Sequence, residues 1–397
     1  MLEFSDRLNN MEESATLAMS RLSRELKAQG KDIISLSLGE PDFHTPQFIK
    51  DAALEAMNNN FTTYTPVPGY DDLRESISKK FKRDNNLNYS KSQIVVSTGA
   101  KQSLANVILS LIDNGDEVII PAPYWVSYIE IVKLAGGTPI VVESTIESDF
   151  KVTPTQLEQA INAKTKMMIF STPCNPSGSV YSKSELEALS KVIEKHPKLV
   201  VISDEIYEHI NFSGKHESLA QFENIYNQVV TVNGVSKAWA MTGWRIGYIG
   251  APQEIADACT KMQGQFTSGT CSIAQKASIA AVEADPSILT DMVAAFKNRR
   301  DLVLKKLNDI KGIKVNIPEG AFYVFPDISH YFGKKNNDQV INNANDLCMY
   351  LLNDALVAVV SGDAFGDKNC IRISYATSEA ILEQALDRMK ISLEKLN

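Results

Sequence analysis

Between about residues 90 and 250 the chain alternates short runs of β-branched residues with helix-patterned segments, and no other feature narrows its fold so far. Strands separated by helices of this length read as βαβ crossovers around a mainly parallel sheet, which makes the core α/β. Six runs carry the strand pattern, at 93–98, 117–120, 139–142, 167–170, 199–203 and 229–232, each followed by polar or glycine-containing residues. Ligands of such sheets sit just beyond the carboxyl ends of the strands, so chemistry is expected in the turns that follow these runs. The clearest helix start is Ser182, with Glu185 three residues on and then Leu186 and Leu189, the order of a capping box.

After about residue 285 the pattern changes to a long charged amphipathic helix through Arg299 and Arg300, a strand-like GAFYVF run and two more helix–strand alternations. A chain of 397 residues exceeds what one core usually organises. The expected division is a helix and connecting loop at 1–45 that pack with the small domain, a large domain at 46–290 and a small α/β domain at 291–397. The first helix is expected over 15–28. The last places Ile381, Leu382, Ala385, Leu386, Met389, Leu393 and Leu396 on one packed face.

Several function classes are disfavoured by composition. The formal charge of −8 leaves no broad basic surface to neutralise phosphates, so nucleic acid is not an expected partner. No run approaches membrane-spanning length, and the acidic start, with Glu3, Asp6, Glu12 and Glu13, does not read as a targeting peptide. The cysteines, Cys174, Cys259, Cys271, Cys348 and Cys370, are odd in number and lack C-x-x-C spacing, which argues against disulfides and zinc and for reduced thiols in the cytoplasm. No metal is expected.

The stretch NGVSKAWAMTGWRIGY, residues 233–248, sets Lys237 just past a strand and Arg245 eight residues further. Alone, each reads as a solvated surface residue. A pyridoxal site, however, needs an imine-forming amine, a carboxylate for the pyridine nitrogen, donors to the ring oxygen, an aromatic face and a phosphate cradle. Asp204 and Tyr207, in SDEIYEH, end the apolar strand LVVIS, where a buried carboxylate requires a positive partner. By itself Asp204 reads equally as a strand-ending turn residue. Asn175, in STPCNPSG, lies at another strand end, and Trp125, in APYWVSY, offers a ring face or plain core. The STGAKQS run passes from strand to helix, so the N–H groups of Gly99, Ala100 and Lys101 are expected to face an anion, with Ser236 and Arg245 adding a hydroxyl and a bidentate clamp.

Taken together, SATLAMS, SLGEPDF, YTPVPGY, STGAKQ, PYWVSY, TPCNPSG, SDEIYEH, GVSKAWAMTGWRIGY, GAFYVF and IRISYA occur in an order and spacing that resemble the class I pyridoxal-phosphate aminotransferases of fold type I. The similarity is to the bacterial aspartate aminotransferase branch, which includes prephenate-using members. The resemblance implies a seven-stranded, mainly parallel sheet in a large domain beside a smaller α/β domain. It implies pyridoxal 5'-phosphate joined to Lys237, with Asp204 on the pyridine nitrogen, Tyr207 and Asn175 on the ring oxygen, and Trp125 stacked on the ring. The phosphate falls to Gly99, Ala100, Lys101, Ser236 and Arg245, and to Tyr64 from a neighbouring subunit, so a homodimer with shared sites is implied. Arg372, in CIRISYA, is implied to bind the substrate α-carboxylate with help from the Gly39 backbone, Trp125 and Asn175 also bordering the substrate. Lys101, Ser14 and Thr16 are associated in this branch with a second carboxylate.

Two departures from the family pattern are Cys174, where asparagine is frequent, and Ser177, where threonine is frequent. The expected reaction is ping-pong transfer of an amino group between amino and keto acids, with aspartate and 2-oxoglutarate giving oxaloacetate and glutamate. Rival readings are an aromatic or broad aminotransferase, a lyase or racemase of the same fold, and a cofactor-binding regulatory domain. The last lacks any DNA-binding module in the first forty residues.

Overall fold

The computed structural model describes residues 2–397. Its central sheet has seven strands: β1 (Ile94–Ser97), β2 (Glu117–Pro121), β3 (Thr138–Val142), β4 (Thr165–Ser171), β5 (Val200–Asp204), β6 (Val229–Gly234) and β7 (Gly247–Gly250). They lie in the order β1-β7-β6-β5-β4-β2-β3. β7 runs antiparallel to both neighbours, and the other pairs are parallel. Val201, Ile202, Val229 and Val230 are fully shut from water in the middle strands, each such side chain contributing roughly 1.5–3 kcal/mol of burial.

The six strand runs expected from the sequence all form, and β7 joins them as a seventh that the pattern does not announce. Its sequence, Gly-Tyr-Ile-Gly, hides a strand because close approach dictates both glycines. A Cβ on Gly247 would stand 2.1 Å from the Ala100 amide nitrogen, and one on Gly250 would meet the Tyr89 ring at 2.5 Å. The capping box at Ser182 forms, its side chain accepting from the Glu185 N–H at the start of the helix Lys183–Ile193.

A second, antiparallel sheet joins Val360–Ser361, Ile371–Ser374 and Tyr323–Val324. The helices Thr290–Asn308, Ala344–Tyr350 and Glu379–Leu393 belong to the same stretch of chain. The helix Ala15–Ala28, which follows a short one at Asp6–Asn9, lies against Val360–Ser361 and Val357–Ala358, and Ile34–Ser35 pairs in parallel with Val357–Ala358. The next segment crosses toward the large sheet, where the Thr45 hydroxyl donates to the Ala240 carbonyl at 2.7 Å. One helix-face expectation needs correction. Leu382, Ala385, Leu386, Met389 and Leu393 are buried, and so is Leu396 beyond the helix end, but Ile381 is 41% exposed. It sits in the first turn, one residue off the packed stripe.

Candidate active site

The register of the parallel strands sets Ser171, at the end of β4, opposite Asp204, at the end of β5. A cavity of about 350 Å³ opens there, and Lys237, three residues past β6, borders it. From the other side come Tyr323 and Arg372 of the small sheet, and Gly39 of the crossing segment.

Asp204 is buried, and burial pushes its carboxyl up to about 6, against the pull of hydrogen bonds from the Tyr128 hydroxyl and the Ile206 amide. The Tyr128 hydroxyl donates to Asp204 Oδ2 at 2.7 Å. Lys237 Nζ donates to the Gly39 carbonyl at 2.7 Å. Loss of water brings its amine down to about 8, with Arg372 and Arg245 acting in the same direction and Glu40 and Asp204 opposing. An amine so depressed carries a sizeable unprotonated fraction near neutral pH, and so is able to act as nucleophile or base. The Tyr207 hydroxyl lies 2.8 Å from that of Tyr323, and burial holds its phenol well above the ordinary value.

At one end of the cavity the helix Ala100–Leu111 begins just past β1, with Gly99 as its cap at φ +82°. The amides of Ala100 and Lys101 have no acceptor among the described residues, the position in which a helix start receives an anion. The expectation for Gly99 is corrected. Its N–H is taken by the Ser97 carbonyl at 2.8 Å, so its part is to carry no side chain, since a Cβ there would stand 2.3 Å from Arg245 Nη2. Arg245 itself has φ +58°, a conformation that costs a side-chain-bearing residue, and its guanidinium donates to the Thr242 carbonyl at 2.9 Å. Ser236 is buried at the same wall.

At the opposite end Arg372 is buried, donating to Asn175 Oδ1 at 3.0 Å and to the Ser37 carbonyl at 2.5 Å, while its Nε has no partner among the described residues. Lys101 Nζ stands 4.9 Å over the Trp125 ring. Desolvation and the nearby Arg245 lower its ammonium. Ser14 precedes the helix Ala15–Ala28 but its hydroxyl caps no helix amide. It bonds instead to the Thr16 hydroxyl at 2.9 Å, and both border the cavity.

The residues singled out from the sequence therefore converge on one cavity, with two exceptions. Gly99 acts from behind the wall, and Tyr64 is 99% exposed and does not line it. Cys174 is buried, which removes the exposure that oxidation would need. Among the lining residues that carry no clear mark in the sequence are Tyr128, Ser171 and Tyr323. Tyr128 follows Trp125 by three, the spacing that puts two side chains on one side of a helix turn, and this is the available signal. Tyr323 sits in GAFYVF with no local cue to which ring faces the site.

The donor set fits pyridoxal 5'-phosphate. Free helix-start amides and Arg245 suit a dianionic phosphate, a buried acid with no ion-paired cation among the described residues suits a protonated ring nitrogen, and the missing side chain at Gly99 leaves room for the Arg245 guanidinium.

The chain is similar over nearly its whole length to proteins of named type. The aspartate/prephenate aminotransferase of Nitrosomonas europaea is 46% identical over 98% of this chain and 99% of its own length, and the aspartate aminotransferase of Bacillus subtilis is 44% identical over 99% and 100%. Among solved structures, the aspartate aminotransferase of Rhizobium meliloti superposes with a TM-score of 0.97 at 41% identity, covering 100% of both chains. That of Thermus thermophilus with maleate gives 0.93 at 39%, covering 99% and 100%. These neighbours give the chain the fold type I α/β architecture. With residues 31–389 matching the model of aminotransferase class I and II, the chain belongs to that family of aminotransferases.

Proposed function

We propose that this chain is a pyridoxal-phosphate-dependent aspartate aminotransferase, converting L-aspartate and 2-oxoglutarate to oxaloacetate and L-glutamate in ping-pong fashion. The observation that carries the reading is the placement of two cationic ends around one depressed lysine: Arg372 on one side and Lys101, with the Ser14 and Thr16 hydroxyls, on another. A dicarboxylic amino acid presents two anionic groups with its α-carbon between them.

When bound, the cofactor supplies an electron-withdrawing ring that stabilises the charge left at the substrate α-carbon after proton loss. Asp204 holds the proton on the ring nitrogen. Arg372 binds the α-carboxylate by a charge-assisted fork, kept in orientation by Asn175 and the Ser37 carbonyl. Lys237 Nζ would serve as the base that takes the α-carbon proton and the acid that gives one back, a role open to an amine that burial brings below its ordinary value. Tyr207 and Asn175 donate to the ring oxygen. Ala100, Lys101, Ser236 and Arg245 hold the phosphate.

Arg245 is exposed where it borders the cavity, and Tyr64, 99% exposed and outside the lining, is open to a neighbouring chain, which supports a homodimer in which the partner's chain closes the phosphate end. The naming of the Nitrosomonas europaea relative supports prephenate as a further acceptor. Among the described residues no helix is long and apolar enough to cross a membrane, and all five cysteines are unpaired, which fits a reducing aqueous compartment such as the cytoplasm.

The deciding experiment follows the cofactor absorbance of purified holoprotein mixed with aspartate, glutamate, phenylalanine or, from the amine form, prephenate. Aspartate is expected to convert the aldehyde form to the amine form and release oxaloacetate. Release of fumarate and ammonia, or of alanine and carbon dioxide, would defeat the transaminase reading, and a preference for phenylalanine over aspartate would remove the second-carboxylate role of Lys101. Borohydride reduction should label the peptide that contains Lys237.

A further inference from the structure

Tyr323 belongs to no step above, yet it touches both the Tyr207 hydroxyl and the Arg372 guanidinium. Its hydroxyl is 2.8 Å from that of Tyr207, and its ring lies 4.6 Å from the Arg372 guanidinium carbon. It is 1% exposed and comes from the small antiparallel sheet, where it pairs with Ser374 on the strand that carries Arg372. A Cβ on Gly39 would stand 2.1 Å from its hydroxyl oxygen, and the carbonyl of Gly39 is the acceptor for Lys237 Nζ at 2.7 Å.

We propose that Tyr323 is a positioning residue for amino transfer: its hydroxyl fixes the Tyr207 hydroxyl, and its ring supports the Arg372 guanidinium, so the ring-oxygen donor and the carboxylate receptor share one support. The inference rests on the function proposed above and deepens it. Tyr207 can give its own proton to a ligand oxygen only if Tyr323 is the donor between the two phenols. A donor into the Tyr207 oxygen polarises its O–H and strengthens what it gives onward. The ring contributes separately, as one of two aromatic faces, with that of Phe365 at 4.8 Å, against a buried cation that has no carboxylate partner among the described residues. Gly39 is then required for space: the hydroxyl of Tyr323 occupies the place its side chain would take.

The two contributions can be separated. Tyr323→Phe removes the hydroxyl and keeps the ring. In holoprotein it should raise the pH midpoint of the cofactor's absorbance change by about one pH unit and lower kcat about tenfold, the worth of one charge-coupled hydrogen bond. Binding of maleate, a dicarboxylate that cannot react, should stay within about threefold, because the Arg372 support is intact. Tyr323→Leu should weaken maleate binding about tenfold as well. Gly39→Ala, which keeps the carbonyl for Lys237, should reproduce the midpoint shift of Tyr323→Phe by displacing the hydroxyl, and the double variant should be no worse than either single one. Thermal melting of each variant checks folding, and Gly39→Ala provides the test if Tyr323→Phe does not fold. An unchanged midpoint in Tyr323→Phe or in Gly39→Ala overturns the proposal, as does a Tyr207→Phe/Tyr323→Phe pair whose losses multiply. Wild-type protein that forms no coloured adduct with pyridoxal phosphate overturns the function and this inference together, whereas a coloured, active wild type with an indifferent Tyr323→Phe overturns the inference alone.

Discussion

The turn after β5 reads Asp-Glu-Ile-Tyr-Glu-His, and its two sides treat charge in opposite ways. Asp204 and Tyr207 border the cavity, while Glu205 and Glu208 belong to a buried network outside it. Glu208 pairs with the buried ammonium of Lys80 and accepts from Asn85 Nδ2 at 2.8 Å. Glu205 accepts from the hydroxyls of Ser203 and Ser218 and lies 2.9 Å from His216 Nε2. Burial alone would raise the Glu208 carboxyl; Lys80, with His209 and His216, more than reverses that and holds it well below the usual range. Asp204, four residues earlier and equally enclosed, has no such partner and is pushed up to about 6. A buried acid whose countercharge the chain provides is part of the framework, and one without it is a receptor for a charge that arrives with a ligand.

The largest effect that could break this contrast is on turnover. Asp204→Asn should slow the half-reaction with aspartate on the order of 10³-fold, the loss expected when a preorganised charge at a reacting system is removed. Glu208→Gln, measured per folded molecule by the same stopped-flow absorbance, should change it little. Equal losses in the two variants would erase the distinction between receptor and framework.

Stability should order the same pair the other way. Glu208→Gln leaves Lys80 buried beside an uncharged amide, although Asn85 Oδ1 at 2.9 Å still accepts from it. A loss of about 3 kcal/mol in urea unfolding of the cofactor-free protein is expected. Asp204→Asn should show the opposite sign above neutral pH. Its carboxyl is raised in the folded chain from 3.8 to about 6, so the fold prefers the protonated form. The associated stability is fully present below pH 3.8 and is lost as pH rises through 6, a cost of about 3 kcal/mol by pH 7 in the absence of the ring nitrogen. The stability difference between Asp204→Asn and wild type should therefore move in the variant's favour between pH 4 and 7, less whatever the lost Tyr128 bond contributes. A difference that is flat with pH would show that Asp204 finds a countercharge within the chain after all.

The strand-end side of this contrast is legible in the sequence, and the framework side is not. Asp204, Asn175 and Lys237 each follow an apolar run, and the end of a buried strand is a place that local sequence can mark. Nothing local marks Glu208 as buried, because its cation, Lys80, is supplied by a helix 128 residues earlier in the chain. The same holds for Tyr323, whose partner hydroxyl is separated from it by 116 residues. β7 is hidden by a different cause, since its glycines answer to neighbouring backbone and ring atoms rather than to strand propensity. The helix start at Gly99 is visible, but which of its amides is free depends on the turn that returns the Gly99 N–H to Ser97.

The contrast extends to cations, and there its smallest expected effect is the most discriminating. Lys237, Arg245 and Arg372 are held by carbonyl and amide oxygens, and Lys101 stands over an aromatic ring. By the reasoning applied to Asp204, each is free to meet an incoming anion. Lys101 has two candidate anions, the phosphate and the substrate's second carboxylate. Its backbone amide serves the helix start whatever the side chain is, so Lys101→Met keeps that contribution and removes only the ammonium. If the ammonium receives the distal carboxylate, kcat/KM for aspartate should fall about 30-fold while that for phenylalanine holds, since Ser14 and Thr16 retain part of the site. If it serves the phosphate instead, both substrates should fall together and the affinity for pyridoxal phosphate should fall with them. A loss confined to aspartate extends the receptor argument from the ring nitrogen to the substrate side chain, and a shared loss restricts it to the cofactor.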